Sequence, residues 1–203
     1  MNKKAVLNLT VYASLIALMI VFAFTPIGYL KFGIIEITFM CIPVIAGIVF
    51  GQSAGGALLG LVFALTSFAQ CFGMSAFGVA IYAISPIKTI ILLFVPRILM
   101  GYFSGNIYSS INKALGESMV SKAALSLSAP ILNTLMFVLL FVALFKDTDY
   151  FIGLMDSLGS ENVWGFVVSM FGINAVCEAT LCTVVGIPLC TVLEKMKARG
   201  FRK

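Results

Sequence analysis

Apolar runs of about twenty residues, broken by short polar stretches, repeat along the chain, and a bilayer span needs roughly that length. The pattern predicts six helical spans, at about 5–24, 33–50, 54–71, 87–109, 123–145 and 164–190. The first stops at Thr25-Pro26-Ile27-Gly28. The second carries Glu36 near its start and ends at Gly51-Gln52-Ser53. The third is rich in small residues (Ala54, Gly55, Gly56, Ala57, Gly60), which allow close helix approach in membranes. The stretch 72–86, with Gly73, Gly78, Ser85 and Pro86, reads as a loop or a re-entrant segment. The segments 110–122 and 146–163 are polar and read as connections.

Composition excludes a soluble alternative. Hydrophobic residues make up 61% of the 203-residue chain and charged residues 10%. A soluble domain carries about 25% charged residues, so polar side chains here are too few to cover a water-facing surface. The expectation is an all-α integral membrane protein forming one membrane domain over residues 1–203. The run after Lys3 and Lys4 is longer than a signal-peptide core and lacks a small-x-small cleavage site, so it reads as a retained first span.

Charge sets the orientation. Lys3, Lys4, Lys113, Lys122, Lys195, Lys197, Arg199, Arg202 and Lys203 fall on one side if both termini are cytoplasmic. The outer loops then hold only Lys31 and Lys146, together with Asp147, Asp149, Asp156 and Glu161. The positive-inside rule therefore predicts cytoplasmic termini. The same placement argues against nucleic acid as the partner of the net charge of +5.

Ionisable and amide groups at membrane depth are the candidate chemistry. Arg97 and Glu178 lie at about 15 and 21 Å into the fourth and sixth spans by helical rise. Two readings stay open for them: an ion pair that fixes packing, or direct work on a ligand. Asn133 and Asn174 fall near the midplane, and Asn174 shares a helix face with Glu178. An Asn offers donors and an acceptor to a neutral polar ligand, or glues helices together. Lys88 either snorkels outward or meets an anionic ligand. Ser67, Gln70 and Phe72 close the outer end of the third span and suit the rim of a small-molecule pocket. Ala13 and Ala17 make a small-x3-small patch on the first span.

Other chemistry lacks a seat. There is no His, the five cysteines form no C-x-x-C pair, and there is no P-loop or H-E-x-x-H run. No metal site, no ATP hydrolysis and no enzymatic activity are expected of this chain.

The layout resembles the S components of energy-coupling factor (ECF) vitamin transporters. The resemblance covers nearly the whole chain. It rests on Thr25-Pro26-Ile27-Gly28, the run from Ile37-Thr38 through Pro43 to Gly47, and Phe50-Gly51-Gln52-Ser53 through Gly60 to Ser67. Val95-Pro96-Arg97-Ile98-Leu99-Met100-Gly101 and Leu132-Asn133-Thr134 add to it. The pattern is most similar to the pantothenate-type branch. It departs from it at Cys41-Ile42, where that branch often has His before the proline, and at Gln70 to Gly78, which leaves a pyridoxine-like or other B vitamin open. The resemblance implies a substrate-binding subunit in the plasma membrane of a prokaryote. Such a subunit captures a vitamin near the outer face, with Thr38 among the site residues. It then docks through the Ala13 and Ala17 face on a membrane scaffold driven by two ATPases, so that ATP is consumed by partner chains and no cofactor resides here. From the residues alone, a solitary ion- or proton-coupled carrier, with Arg97 and Glu178 as relay, is the competing reading.

Overall fold

The computed structural model describes residues 3–25, 28–32 and 35–200. Pro26 and Ile27 of the first motif and Arg202 and Lys203 of the basic tail lie outside the described residues. Eight α-helices and one short hairpin follow in order: α1 Lys3–Phe24, β1 Tyr29–Phe32, β2 Ile35–Thr38, α2 Cys41–Gln70, α3 Ala76–Ile84, α4 Pro86–Leu115, α5 Met119–Phe145, α6 Asp149–Ser157, α7 Val163–Val167 and α8 Ile173–Gly200. A single π-helical turn, Val168–Gly172, joins α7 to α8. Five of these helices (α1, α2, α4, α5 and α8) are long and apolar enough to cross a membrane.

The second helix is two arms. Gln52 adopts φ 52° and ψ −137°, a left-handed conformation that breaks the helix. The chain then folds back. A side chain added at Gly47 would strike Leu59, and one at Gly56 would meet Ile48. The first arm is short because residues 35–38 are a strand rather than the start of a span at about 33. Ile35-Glu36-Ile37-Thr38 alternates with period two, and Ile35, Ile37 and Thr38 are β-branched, which favours an extended chain. The hairpin pairs Tyr29 with Thr38 and Phe32 with Ile35, antiparallel.

Caps explain three short helices that hydropathy does not reveal. Within the stretch expected as loop, Ser75 accepts from the Gly78 N–H and starts α3. Ser85 accepts from the Lys88 N–H, with Pro86 in the first turn of α4. Thr148 caps α6 and Asn162 caps α7 in the same way. The polar stretch 110–122 is mostly helical, with only residues 116–118 between α4 and α5. The last long helix runs on to Gly200, past the expected end near 190.

Close packing centres on α2 and α4. Gly56 on the second arm of α2 faces Gly101 on α4, and Gly105, one turn on, lies against the Ser53 backbone. A Cβ at Gly56 would strike the Gly101 carbonyl oxygen, and one at Gly101 would strike that of Gly56. Gly60 sits against the Arg97 carbonyl. Backbone-to-backbone contact of this kind needs residues without side chains. The helices α2, α4, α5 and α8 form a ring, since α4 packs on α2 and α5, and α8 packs on α5 and α2. This places α4 and α8 opposite each other. α1 lies outside the ring against α2. Met19 and Ala23 of α1 are buried, with Ile45, Ile48, Phe63, Leu125 and Cys182 in the same core.

Polar ties hold the Gln52 end of the bundle. Glu194 accepts from the Tyr108 hydroxyl at 2.7 Å and pairs with the Lys122 ammonium at 2.9 Å. Lys197 Nζ donates to the Val49 carbonyl, and Tyr12 OH to that of Gly47. Val49 precedes the break at Gln52, so its carbonyl lacks a helical partner and a Lys ammonium suits it.

Candidate functional site

At the hairpin end, inside the ring, lies a cavity of about 140 Å³. One water needs about 10–15 Å³ by the same kind of measure, so the space suits a small organic molecule. Thr38, Ser67, Gln70, Arg97, Asn133, Asn174 and Glu178 line it together. They come from β2, α2, α4, α5 and α8, so no single stretch of sequence carries the site.

Glu178 is 1% exposed. Its Oε1 accepts from the Thr38 backbone N–H at 2.9 Å, and Oε2 from Thr134 Oγ1 at 3.5 Å. Thr38 is held from its other side too, because its hydroxyl accepts from the Met40 N–H. Arg97 Nη1 donates to the Leu93 carbonyl one turn back. Its guanidinium lies 4.6 Å from the Phe63 ring centre and 5.6 Å from that of Phe137, within range of cation–π attraction. Gln70 Nε2 donates to the Ala23 carbonyl and ties α2 to the top of α1. The Oδ1 atoms of Asn133 and Asn174 are buried with no hydrogen-bond partner among the described residues. Orphaned buried acceptors are uncommon in folded proteins and draw a donor.

Two residues expected at the site stand elsewhere. Phe72 is 62% exposed and packs edge-on against Phe68 and Tyr82. Lys88 donates to the Leu144 carbonyl at 2.8 Å, which caps the last turn of α5. Ala13 and Ala17 fall on the exposed side of α1, away from the cavity.

The cavity also uses residues that sequence reasoning passed over: Ser75, Phe77, Thr134, Phe137 and Phe171 among them. Ser75 and Phe77 belong to the stretch read as loop. A helix-capping Ser followed by an apolar run is the signal that would have found them. Phe171 lies two turns before Glu178 on the same face, and the π-turn decides how the chain beyond it faces. Phe166 is fully buried, Phe171, Asn174 and Glu178 line the cavity, and Trp164 and Val168 are 71% and 69% exposed. An unbroken α-helix that held Glu178 inward would turn Trp164 toward the bundle and Phe166 away from it. The π-turn absorbs one extra residue and lets both stretches face inward. Phe151 and Phe166 meet edge-on with ring centres 4.8 Å apart, continuous with Phe141 and Phe171.

Gly51-Gln52-Ser53-Ala54-Gly55 has the G-x-S-x-G spacing of a nucleophile elbow. Here it is a turn between two helical arms rather than from strand to helix. Ser53 Oγ lies 2.6 Å from Asn106 Oδ1, and the chain has no His to serve as base.

Long apolar helices around a cavity lined by polar and aromatic side chains define a multi-pass membrane protein. Residues 7–190 match the family described as ECF transporter, substrate-specific component, and the chain belongs to that family. Its members are transporter subunits. No curated protein matches the chain.

Proposed function

We propose that this chain is the vitamin-capturing subunit of an ATP-driven importer in the plasma membrane of a prokaryote. The observation that carries this reading is the cavity, polar on several walls, enclosed by apolar helices and placed at one end of the bundle. The chain passes between the two faces of the bilayer six times, with β2 and the short first arm of α2 together making the second pass, and both termini are cytoplasmic. Contacts support the alternation. The start of α5 meets the end of α8 through Lys122 and Glu194, beside the Gln52 turn, while Thr38 and Thr134 meet Glu178 at the other end. The basic residues gather at the Gln52 end, as the positive-inside rule requires of the cytoplasmic side. Pantothenate is the first candidate ligand on sequence resemblance, with pyridoxine and other B vitamins behind it.

Thermal unfolding of the purified protein against a panel of B vitamins tests the reading. One vitamin is expected to raise Tm. Uptake in cells is expected to need the scaffold and the two ATPases. Uptake by this chain alone, abolished by a protonophore, would instead establish a solitary carrier.

Docking on the scaffold is assigned to the exposed face of α1. Ala13→Trp projects a large ring from that face, remote from the cavity. It is expected to leave the vitamin-induced Tm shift intact and to abolish uptake. Joint loss of both would remove the docking role.

A further inference from the structure

A second recess, of about 310 Å³, opens at the Gln52 end of the bundle. Its polar lining includes Gln52 of α2, Ser109, Asn112 and Lys113 of α4, Glu117 of the corner before α5, and Lys197 of α8. Gln52 is the one non-glycine residue with a positive φ among the described residues, and backbone strain of that kind gathers at ligand clamps. Tyr108 gives its hydroxyl hydrogen to Glu194 and accepts from the Asn112 side chain, so the Asn112 amide nitrogen is engaged. The Asn112 Oδ1 and the Ser109 Oγ are buried with no partner among the described residues. Such orphans draw a partner from outside the chain.

The charges in and beside the recess leave one positive charge over. Lys113, Lys197 and Lys122 carry three, the last through its pair with Glu194, and Glu117 and Glu194 oppose two of them. A phosphodiester, with its single negative charge, matches that surplus, whereas a phosphate monoester brings nearly two. Lys197 gives one hydrogen to the Val49 carbonyl and has two more to give. The surroundings point to a lipid. Leu115, Met119 and Val120, at the corner between α4 and α5, are apolar and exposed, and they fall at the ends of two candidate spans. Basic pockets between membrane helices on the cytoplasmic side hold lipid headgroups.

We infer that this recess holds the phosphoglycerol headgroup of an anionic phospholipid of the inner leaflet. The phosphodiester lies on Lys113 and Lys197, and so bridges α4 to α8 beside the Gln52 turn. The glycerol hydroxyls donate to Asn112 Oδ1 and Glu117, and the acyl chains leave over Leu115, Met119 and Val120. A choline or ethanolamine headgroup would bring a further cation beside the lysines. An anionic ester without hydroxyls would leave Asn112 unserved. The leaflet follows from the orientation proposed above, while the headgroup chemistry does not depend on vitamin capture.

Lipids that differ in one group at a time make the test. The intact, delipidated protein in detergent would be titrated with phosphatidylglycerol, phosphatidylmethanol (the same charge, no hydroxyls), phosphatidylcholine and soluble glycerol phosphate, with bound lipid counted by native mass spectrometry. Phosphatidylglycerol is expected to bind about 30-fold more tightly than phosphatidylcholine, the scale of two lysines on one anionic headgroup. It should bind about 5-fold more tightly than phosphatidylmethanol, the scale of a hydrogen bond. Lys113 is exposed, so Lys113→Gln should fold as the native protein does. That variant should reduce the preference for phosphatidylglycerol over phosphatidylcholine to about 5-fold. Asn112→Ala should bind phosphatidylglycerol and phosphatidylmethanol alike and keep the preference of both over phosphatidylcholine.

Equal binding of phosphatidylglycerol and phosphatidylcholine by the native protein overturns the inference, as does a preference that Lys113→Gln leaves unchanged. Glycerol phosphate that displaces the lipid at similar concentration would make this a site for a free phosphate ester and overturn the lipid assignment. Lys113→Gln should leave a vitamin-induced Tm shift intact, so the two readings fail separately. Loss of lipid preference leaves the capture function standing, and a protein that binds no vitamin can still select its lipid.

Discussion

Gly101→Val should yield a protein that barely folds, with Tm lower by about 10 °C or more if it is recovered at all. The new side chain would point into the carbonyl of Gly56 on the facing arm of α2. A side chain that clashes with another side chain finds a different rotamer. One that clashes with a carbonyl must push two helices apart along their whole contact, which costs on the order of 3 kcal/mol or more. The same separation would move Arg97, whose own carbonyl packs on Gly60. Gly153→Ala is the control. Nothing lies within 4 Å of a Cβ built at Gly153, inside α6, so its Tm should equal or slightly exceed that of the native protein. Thermal unfolding in detergent measures both.

Lys122→Met should be the next most damaging change, at about 3–5 kcal/mol. Glu194 is 5% exposed, and without Lys122 its carboxylate keeps only the Tyr108 hydroxyl among its described partners. An unpaired buried charge is worse than no charge. Lys122→Met combined with Glu194→Leu should therefore be more stable than Lys122→Met alone. A double variant no better than the single would show that the two side chains act independently. Denaturant or thermal unfolding of the four proteins separates these outcomes.

Much of this architecture is written in hydropathy. The long apolar runs become α1, the second arm of α2, α4, α5 and α8, because a bilayer demands long helices and leaves few alternatives. Arg97, Asn133, Asn174 and Glu178 stand out for a related reason: a polar group at that depth must have a use. What hydropathy misses depends on local backbone chemistry. The hairpin at 29–38 lies beside an apolar run, and its short alternation and the charges Lys31 and Glu36 set it apart from a span. The helices α3 and α6 are nine residues each, too short to register as spans, and announce themselves by caps. Phe72 follows the end of α2, where helical periodicity stops, so the face it presents does not follow from its position. Lys88 is close to the cavity in sequence terms, yet the free carbonyls at the end of α5 claim its ammonium. The match over residues 7–190 agrees with a resemblance that rested on ordered motifs rather than on any single one.

The π-turn at Val168–Gly172 gives this helix a place where its length and its facing are uncoupled. Elsewhere along α8, gaining or losing one residue would rotate everything beyond it by about 100°. Here one residue of surplus is already stored as a bulge. Descent with a one-residue deletion in this turn would leave Phe166, Asn174 and Glu178 facing as they do now, in an ordinary α-helix. Related chains are therefore expected to differ in length at this point while keeping the same binding face, and a gap placed between Phe166 and Phe171 aligns them by structure.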